Sequence, residues 1–244
     1  MSDFARLDRV AISSVRLRER LLEGETGRWR VEGLGPLEVE GDGSAGRLLI
    51  AHGAGAGQGS PFMNQLRGDL AEHGVQTLAI EFAYMRRMQK EAKRFPPPRI
   101  DRLVDELNAW CDILTHPELG SVWLGGKSMG GRAASLLAAR DQAAGLILCG
   151  YPFHPPGKPE SLRLSHWPLL ACPTLVVQGS RDPFGNGEEV EGYRLGDGVA
   201  VHLLEDGDHD WKPRRASGFT QEGLIEEAAG VIAAFMQRHG SGGR

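Results

Sequence analysis

Short apolar segments alternate with longer segments of helical periodicity from Arg47 onward. This alternation is typical of parallel strands joined by crossover helices, because a parallel connection has to return across the sheet. The apolar segments are nearly continuous, as expected for strands that are covered on both faces. The sequence therefore predicts an α/β fold with a mostly parallel central sheet and helices on both faces. The predicted strands are 47–51, 75–80, 121–125, 145–149, 174–178 and 200–204, and the predicted helices are 61–72, 100–115, 129–140 and 221–238.

The rest of the chain gives weaker patterns. A length of 244 residues suits one α/β domain, and we expect a single domain over 1–244. Residues 29–31 and 36–39 predict an antiparallel edge of the sheet, whereas 1–27 form an N-terminal extension in which 4–22 are helical or irregular. The glycine-rich residues 240–244 predict a disordered tail. Two connections, 83–99 and 150–170, follow strands as loops that are too short for a cap domain, so we expect a fairly open site.

Composition excludes several classes of protein. Lys and Arg number 28 against 32 Asp and Glu, and the net charge of -4 gives no basic surface for nucleic acid. No segment approaches the ~18 apolar residues of a membrane span, and the first 20 residues lack the apolar core of a signal peptide. The three cysteines have no CxxC spacing and lie among apolar neighbours, which indicates reduced thiols. We expect a cytoplasmic monomer or homodimer that acts on a small molecule, with no membrane or nucleic-acid partner.

A glycine-flanked serine follows the predicted strand at 121–125. Gly126 and Gly130 lie two residues before and after Ser128, and a helical segment begins at once. A serine held on such a sharp turn projects its hydroxyl above the sheet, and small flanking residues are required there. A simple glycine-rich turn is the alternative. A phosphate-binding loop is disfavoured, because its first glycine would have to stand where the chain has Ser121.

An acid and a histidine follow Ser128 in the order that a hydrolytic triad requires. Asp182 comes after the strand at 174–178, and His209 comes after the strand at 200–204. His209 would take the serine proton, and Asp182 would hold the imidazole tautomer and stabilise its charged form. Three acids also flank the histidine, but side chains on a tight loop seldom turn back onto their own neighbour. These local alternatives are Asp206, Asp208 and Asp210.

A second glycine-rich turn, residues 52–59, follows the strand at 47–51. It predicts one donor of an oxyanion hole, the N–H of Ala54 with that of Gly55 as the alternative, while Met129 supplies the other donor. His52 is expected to be a structural hydrogen-bonding residue. A dinucleotide-binding loop is disfavoured because the third small residue of that motif is missing, and no cofactor or metal site is predicted. Aromatic residues near the expected mouth are candidates for substrate binding, namely Tyr84, Phe153, Phe184 and Trp211.

The segments HGAGAG, GGKSMGG, GYPFHPPGKP and GSRDPFG together resemble the α/β-hydrolase superfamily, near its small dienelactone-hydrolase-like members. They further resemble a sub-branch related to the hydrolase-like domain in a subunit of a histone acetyltransferase complex. The resemblance implies an α/β-hydrolase fold with Ser128 as nucleophile, Asp182 as acid and His209 as base. Dienelactone hydrolases proper use cysteine where this chain has serine, so dienelactone is not the expected substrate.

These observations lead to a functional hypothesis. We expect a serine hydrolase, a carboxylesterase or thioesterase, that cleaves a small ester or thioester through an acyl-enzyme. A peptidase or acyltransferase with the same triad is one alternative. The other is a non-catalytic interaction module that retains the scaffold, because a fold does not by itself imply activity.

Overall fold

A computed structural model describes residues 10–141 and 143–240 of the chain. Much of the predicted extension before residue 10, and the predicted tail after residue 240, lie outside the described residues. The strands are β1 (Ala11–Ile12), β2 (Gly27–Val31), β3 (Gly35–Glu40), β4 (Gly46–Ala51), β5 (Val75–Ile80), β6 (Val122–Lys127), β7 (Leu146–Cys149), β8 (Thr174–Gly179) and β9 (Val199–Leu204). The α-helices are α1 (Ser14–Leu22), α2 (Pro61–Glu72), α3 (Ala83–Glu91), α4 (Ile100–Leu114), α5 (Met129–Ala138), α6 (Gly187–Glu191) and α7 (Gln221–Gly240), and Trp167–Leu169 form a 3₁₀ helix.

The strands form one sheet in the order β1-β2-β3-β5-β4-β6-β7-β8-β9. Strands β4 to β9 run parallel to one another, which confirms the mostly parallel prediction. The antiparallel pair predicted near residue 30 is also confirmed: β2 pairs with β3 over its whole length. Strand β3 joins the main sheet by pairing antiparallel with β5, where Leu37 faces Ile80.

Successive residues of the central strands pack on opposite faces of the sheet. In β4, Leu48 and Ile50 pack into one hydrophobic cluster and Leu49 and Ala51 into the other. The first cluster also contains buried residues of α2 and α7, and the second contains those of α1, α4 and α5. Because both faces are covered in this way, the predicted placement of helices on both sides of the sheet is confirmed.

Helix α3 lies in the segment that the sequence predicts as a loop, so that prediction is wrong for 83–91. Of its nine residues only Met85 is buried, and the other side chains are mainly polar or charged. One buried position in nine leaves no apolar stripe to read from the sequence. The helix ends at Ala92, which adopts a left-handed conformation with φ 49°.

Three other short elements were not predicted, namely β1, α6 and the 3₁₀ helix. Strand β1 has two residues and pairs with β2. Helix α1 lies within residues 4–22 and agrees with the helical interpretation of that segment. Helix α6 begins with a capping box in which Asn186 and Glu189 bond each other's backbone N–H groups. The connection at 150–170 contains only the 3₁₀ helix, as expected for a fold without a cap domain. No helix in the described ranges is both long and apolar enough to cross a bilayer.

Candidate active site

Ser128 lies at the junction of β6 and α5 in a conformation that serine rarely adopts. Its φ is 54° and its ψ is -113°. The turn is held on both sides: the Ser128 N–H donates to the carbonyl oxygen of Cys149 at 2.8 Å, and its own carbonyl accepts from the Arg132 N–H at 2.9 Å. Such a strained serine persists only where the surrounding structure enforces it, and strain of this kind concentrates at functional sites.

Close approach of the backbones explains the two flanking glycines. A Cβ atom at Gly126 would lie 2.5 Å from the carbonyl carbon of Gly130 and 2.7 Å from the carbonyl oxygen of Ala51. A Cβ atom at Gly130 would lie 2.6 Å from both the Ala51 carbonyl carbon and the His52 carbonyl oxygen. The turn therefore needs glycine at both positions because β4 passes directly beside it.

The structure brings Ser128, His209 and Asp182 together. His209 Nε2 lies 2.9 Å from the Ser128 Oγ, and His209 Nδ1 lies 2.7 Å from the Asp182 Oδ2. This network assigns the proton of neutral His209 to Nδ1, which donates to the carboxylate, and leaves Nε2 free to accept from the serine hydroxyl. The ring of His209 also packs against Phe184, with the ring centroids 4.4 Å apart.

Asp182 is fully buried and held by several donors. Its Oδ1 accepts from the Phe184 N–H at 2.8 Å, and its Oδ2 accepts from the Gln178 side-chain amide at 3.0 Å. The same amide nitrogen lies within hydrogen-bonding distance of the carbonyl oxygens of Tyr151 and Gly185. These bonds fix the orientation of the carboxylate that accepts from His209.

Gln178 was not identified from the sequence. It is a polar residue at the end of β8, whose six residues are all buried. A buried amide in an otherwise apolar strand was the signal available, since buried polar groups need partners.

The other acids near His209 have different partners. Asp206 accepts from the backbone N–H and guanidinium of Arg214, and it also pairs with Arg181. Asp208 accepts backbone N–H groups of its own loop. Asp210 lies 3.3 Å from the Lys127 ammonium. None of the three bonds to the His209 ring, so the geometry favours Asp182 as the orienting acid.

His52 anchors the glycine-rich loop after β4. It is fully buried; its Nδ1 lies 2.7 Å from the Gly53 carbonyl oxygen, and its Nε2 accepts from the Phe82 N–H at 3.1 Å. Burial lowers the pKa of His52 to about 4, so the ring is neutral near pH 7. The Tyr84 hydroxyl adds a second anchor by donating to the carbonyl oxygens of Gly53 and Ala54.

The two predicted oxyanion donors lie beside the serine. Met129 is the first residue of α5, where backbone N–H groups have no acceptor within the helix. Ala54 lines the space next to Ser128, and so does the alternative donor Gly55. The helix N-terminus adds a positive electrostatic potential at the same point.

Two cavities meet at Ser128. The first has a volume of about 430 Å³ and includes His209, Lys127 and Asp210 in its wall. The second has a volume of about 260 Å³ and extends toward α4. Ala54 and Phe184 contribute to the walls of both cavities. Within the described residues, no group of three or more His, Cys, Asp or Glu side chains is arranged to hold a metal ion.

The four aromatic candidates for substrate binding separate into two groups. Phe184 lines both cavities, whereas Tyr84 lines neither of them and instead supports the loop at Gly53, which corrects its expected role. Phe153 and Trp211 are fully buried in the hydrophobic core, which corrects their expected role. Phe153 packs against other core aromatic rings, and Trp211 contacts the Phe62 ring with centroids 4.9 Å apart. The first cavity is lined instead by Phe62 and by the small residues of the loop after β4.

Lys127 is a further residue of the site that sequence reasoning did not assign. Its side chain is 7% exposed, and the ammonium lies 5.5 Å from the Phe62 ring centroid as well as beside Asp210. Burial lowers the pKa of Lys127, while the negative charges of Asp210 and Asp182 oppose that shift. The Lys127 side chain therefore lies in the wall next to the serine and the histidine.

A parallel sheet with a strained serine after one strand, and an acid and a histidine after two later strands, defines the α/β-hydrolase class. A family model described as an alpha/beta hydrolase domain matches residues 44–237 of the chain. The chain belongs to this α/β-hydrolase family.

Solved structures with the same fold are similar over most of their length. A dienelactone hydrolase from Anabaena variabilis is 20% identical, with 88% of this chain and 96% of that chain covered and a TM-score of 0.64. An esterase from Pyrococcus furiosus is 18% identical, with 90% and 94% covered and a TM-score of 0.64. An alpha-beta serine hydrolase homologue from Coxiella burnetii is 19% identical, with 88% and 96% covered and a TM-score of 0.60. At sequence identities of 18–20%, the similarity to these structures shows the fold alone.

Proposed function

We propose that this protein is a serine hydrolase that cleaves a small ester or thioester through an acyl-enzyme. The observation that carries the proposal is the continuous hydrogen-bonded path from Ser128 to His209 to Asp182, with contacts of 2.9 and 2.7 Å. The esterase and serine hydrolase names of the similar structures support the same class of reaction.

Acylation begins when the Ser128 oxygen attacks the substrate carbonyl carbon. A new C–O bond forms, the serine proton moves to His209 Nε2, and negative charge develops on the carbonyl oxygen. The N–H groups of Met129 and Ala54 stabilise that charge. The bond to the alcohol or thiol then breaks, and His209 returns the proton to the departing atom.

Deacylation repeats the sequence with water as the nucleophile. His209 takes a proton from water, the resulting hydroxide adds to the acyl carbon, and the C–O bond to Ser128 breaks as the serine oxygen regains a proton. Asp182 stabilises the imidazolium that forms in each half-reaction. The products are a carboxylic acid and an alcohol or thiol.

Labelling with a fluorophosphonate probe tests the catalytic assignment. We expect the wild-type protein to be labelled covalently, and the Ser128→Ala variant to lose all labelling. The matched control is Ser217→Ala, because the Ser217 hydroxyl donates to the Arg214 carbonyl at 2.8 Å and accepts from the Phe219 N–H at 3.4 Å, and Ser217 lines neither cavity.

Two outcomes would contradict this proposal in different ways. Wild-type protein that resists the probe, under conditions that label another serine hydrolase, would favour the non-catalytic interaction module. Labelling that survives Ser128→Ala would place the nucleophile elsewhere. The relation to the histone acetyltransferase subunit stays a prediction.

A substrate profile separates the possible acyl acceptors. We expect p-nitrophenyl esters and thioesters of short acyl chains to be hydrolysed faster than aminoacyl amides, because the histidine must protonate a poorer leaving group in an amide. Faster cleavage of the amides would favour the peptidase alternative, and a product formed with an added alcohol or amine would favour an acyltransferase.

A further inference from the structure

The second cavity at Ser128 contains two arginine side chains and no acid. Arg132 projects from α5, one turn after the nucleophile, and Arg163 projects from the connection between β7 and β8. The other residues of the wall are mainly apolar, with Ile100 and Leu103 on the side of α4. Among the described residues that line this cavity, none is Asp or Glu.

Neither arginine forms an ion pair with a described residue. The Arg132 Nε is buried and has no hydrogen-bond partner. The Arg163 guanidinium donates only a long bond of 3.3 Å to the Pro152 carbonyl oxygen, whereas its backbone is held firmly by the Phe153 carbonyl at 2.7 Å. Half-buried guanidinium groups without a counter-charge are costly, and that cost is typical of binding sites rather than of structural contacts.

The surroundings of the pair offer no negative charge in compensation. Burial, together with the charge of Arg132, lowers the pKa of Arg163 and brings that of His166 to about 4, so His166 is neutral near pH 7. Burial raises the pKa of Tyr151, which therefore keeps its proton. Two positive charges consequently act on the same small space without a negative partner from these neighbours.

The position of His209 decides which part of a substrate occupies this cavity. His209 returns its proton to the departing atom, so the leaving group must lie on the histidine side of Ser128. His209 lines the first cavity and is absent from the wall of the second. The leaving group therefore belongs in the first cavity, and the acyl chain extends from the Ser128 oxygen into the second.

We propose that the second cavity binds an acyl chain that ends in a carboxylate, held by Arg132 and Arg163. The inference rests on the proposed function and names the substrate class: a monoester or monothioester of a short dicarboxylic acid. A volume of about 260 Å³ equals the liquid volume of roughly nine water molecules, which suits a short chain. Guanidinium groups bind carboxylates through paired N–H donors, and the apolar wall contacts the methylene groups. Hydrolysis then adds one water and releases a dicarboxylate and the alcohol or thiol.

A pair of esters with the same leaving group tests this inference by kinetics. The anionic substrate is p-nitrophenyl hydrogen glutarate, and its neutral match is p-nitrophenyl methyl glutarate. We expect the wild-type protein to prefer the anionic ester at least tenfold in kcat/KM. The preference should fall about tenfold in Arg132→Gln and in Arg163→Gln. Arg140→Gln is the control, because Arg140 lies beyond the end of α5, half exposed, in a surface pair with Asp101.

A binding measurement separates this inference from the proposed function. Calorimetry with the Ser128→Ala protein compares monomethyl glutarate, which carries one carboxylate, with dimethyl glutarate, which carries none. We expect the monoanion to bind at least tenfold more tightly, and the Ser128→Ala/Arg132→Gln double variant to lose that difference. The double variant's thermal unfolding reports whether it is folded, and Ser128→Ala/Arg163→Gln provides the same test from the other arginine.

The outcomes lead to different conclusions. Equal kcat/KM for the two esters, or equal binding of the two glutarates, overturns the carboxylate site even if the neutral ester is hydrolysed and Ser128 is labelled. A preference that both glutamine substitutions leave intact overturns the arginine assignment. Selective binding of the monoanion without hydrolysis or labelling supports the carboxylate site and contradicts the proposed hydrolase.

Discussion

Substitution of Gly130 by alanine tests how tightly the serine turn is packed against β4. Alanine is more favourable than glycine by up to about 1 kcal/mol in a helix, and Gly130 is the second residue of α5, so this change alone would stabilise the protein. At Gly130, however, the new Cβ would lie 2.6 Å from the Ala51 carbonyl carbon and 2.6 Å from the His52 carbonyl oxygen. An ordinary contact begins near 3.4 Å, and the atoms in the way belong to the backbone. Strand or helix must therefore move by nearly an ångström.

The expected magnitude follows from that displacement. Overpacking a buried site costs about 1–3 kcal/mol, and two rigid backbones place this case at the upper end. After the gain in helix propensity, we expect a net loss of about 2 kcal/mol, or a fall in Tm of about 4–8 °C. A displacement of about 1 Å at the Ser128 turn should also reduce the rate of fluorophosphonate labelling about a hundredfold.

Gly68→Ala is the matched control for this experiment. Gly68 lies in the middle of α2, and nothing stands within 4 Å of the position that its Cβ would occupy. The same substitution should therefore stabilise the protein by about 1 kcal/mol and leave labelling unchanged. Urea denaturation measures both free energies of unfolding, and the labelling rate reports the site. Equal or greater stability in Gly130→Ala than in the wild type would refute the packing argument.

Three further predictions follow from the buried polar groups. Asp182→Asn should lower kcat for ester hydrolysis by about 10³–10⁴-fold, because the neutral amide no longer stabilises the imidazolium. As the control, Asp208→Asn should keep a kcat near that of the wild type, since Asp208 accepts both of its backbone bonds through one oxygen that asparagine retains. Lys127→Met should change the free energy of unfolding by less than about 1 kcal/mol, because methionine avoids burying an ammonium. If urea denaturation shows that the variant loses more than about 2 kcal/mol of this free energy, the ion pair with Asp210 outweighs the cost of burying Lys127. Burial lowers the pKa of His52 from 6.5 to about 4, so the unfolded chain binds a proton at this histidine at a higher pH than the folded protein does. The free energy of unfolding should therefore fall as the pH drops from about 6.5 to about 4. Denaturation at graded pH should show a smaller fall in His52→Gln.

The sequence predicted the sheet because each central strand is an apolar run covered on both faces, and such a run is visible without tertiary contacts. It failed for α3, where only Met85 is buried and the pattern therefore resembles a loop. It also misplaced Phe153 and Trp211, because an aromatic residue after a strand can pack in the core or face a cavity, and the pattern is the same. Gln178 and Lys127 were missed because the acids that they contact, Asp182 and Asp210, lie on loops and not within the same strand.

Local backbone chemistry explains what the sequence determined by itself. Gly126 and Gly130 identify the sharp turn at Ser128, and chain order identifies Asp182 and His209 as the residues that follow later strands. Only the tertiary structure decided that these side chains meet within hydrogen-bonding distance, and that Asp206, Asp208 and Asp210 turn elsewhere. It also decided that Arg132 and Arg163, 31 positions apart in the chain, line one cavity without an acid. The physical reason is that a turn depends on neighbouring residues, whereas a site depends on distances between distant ones.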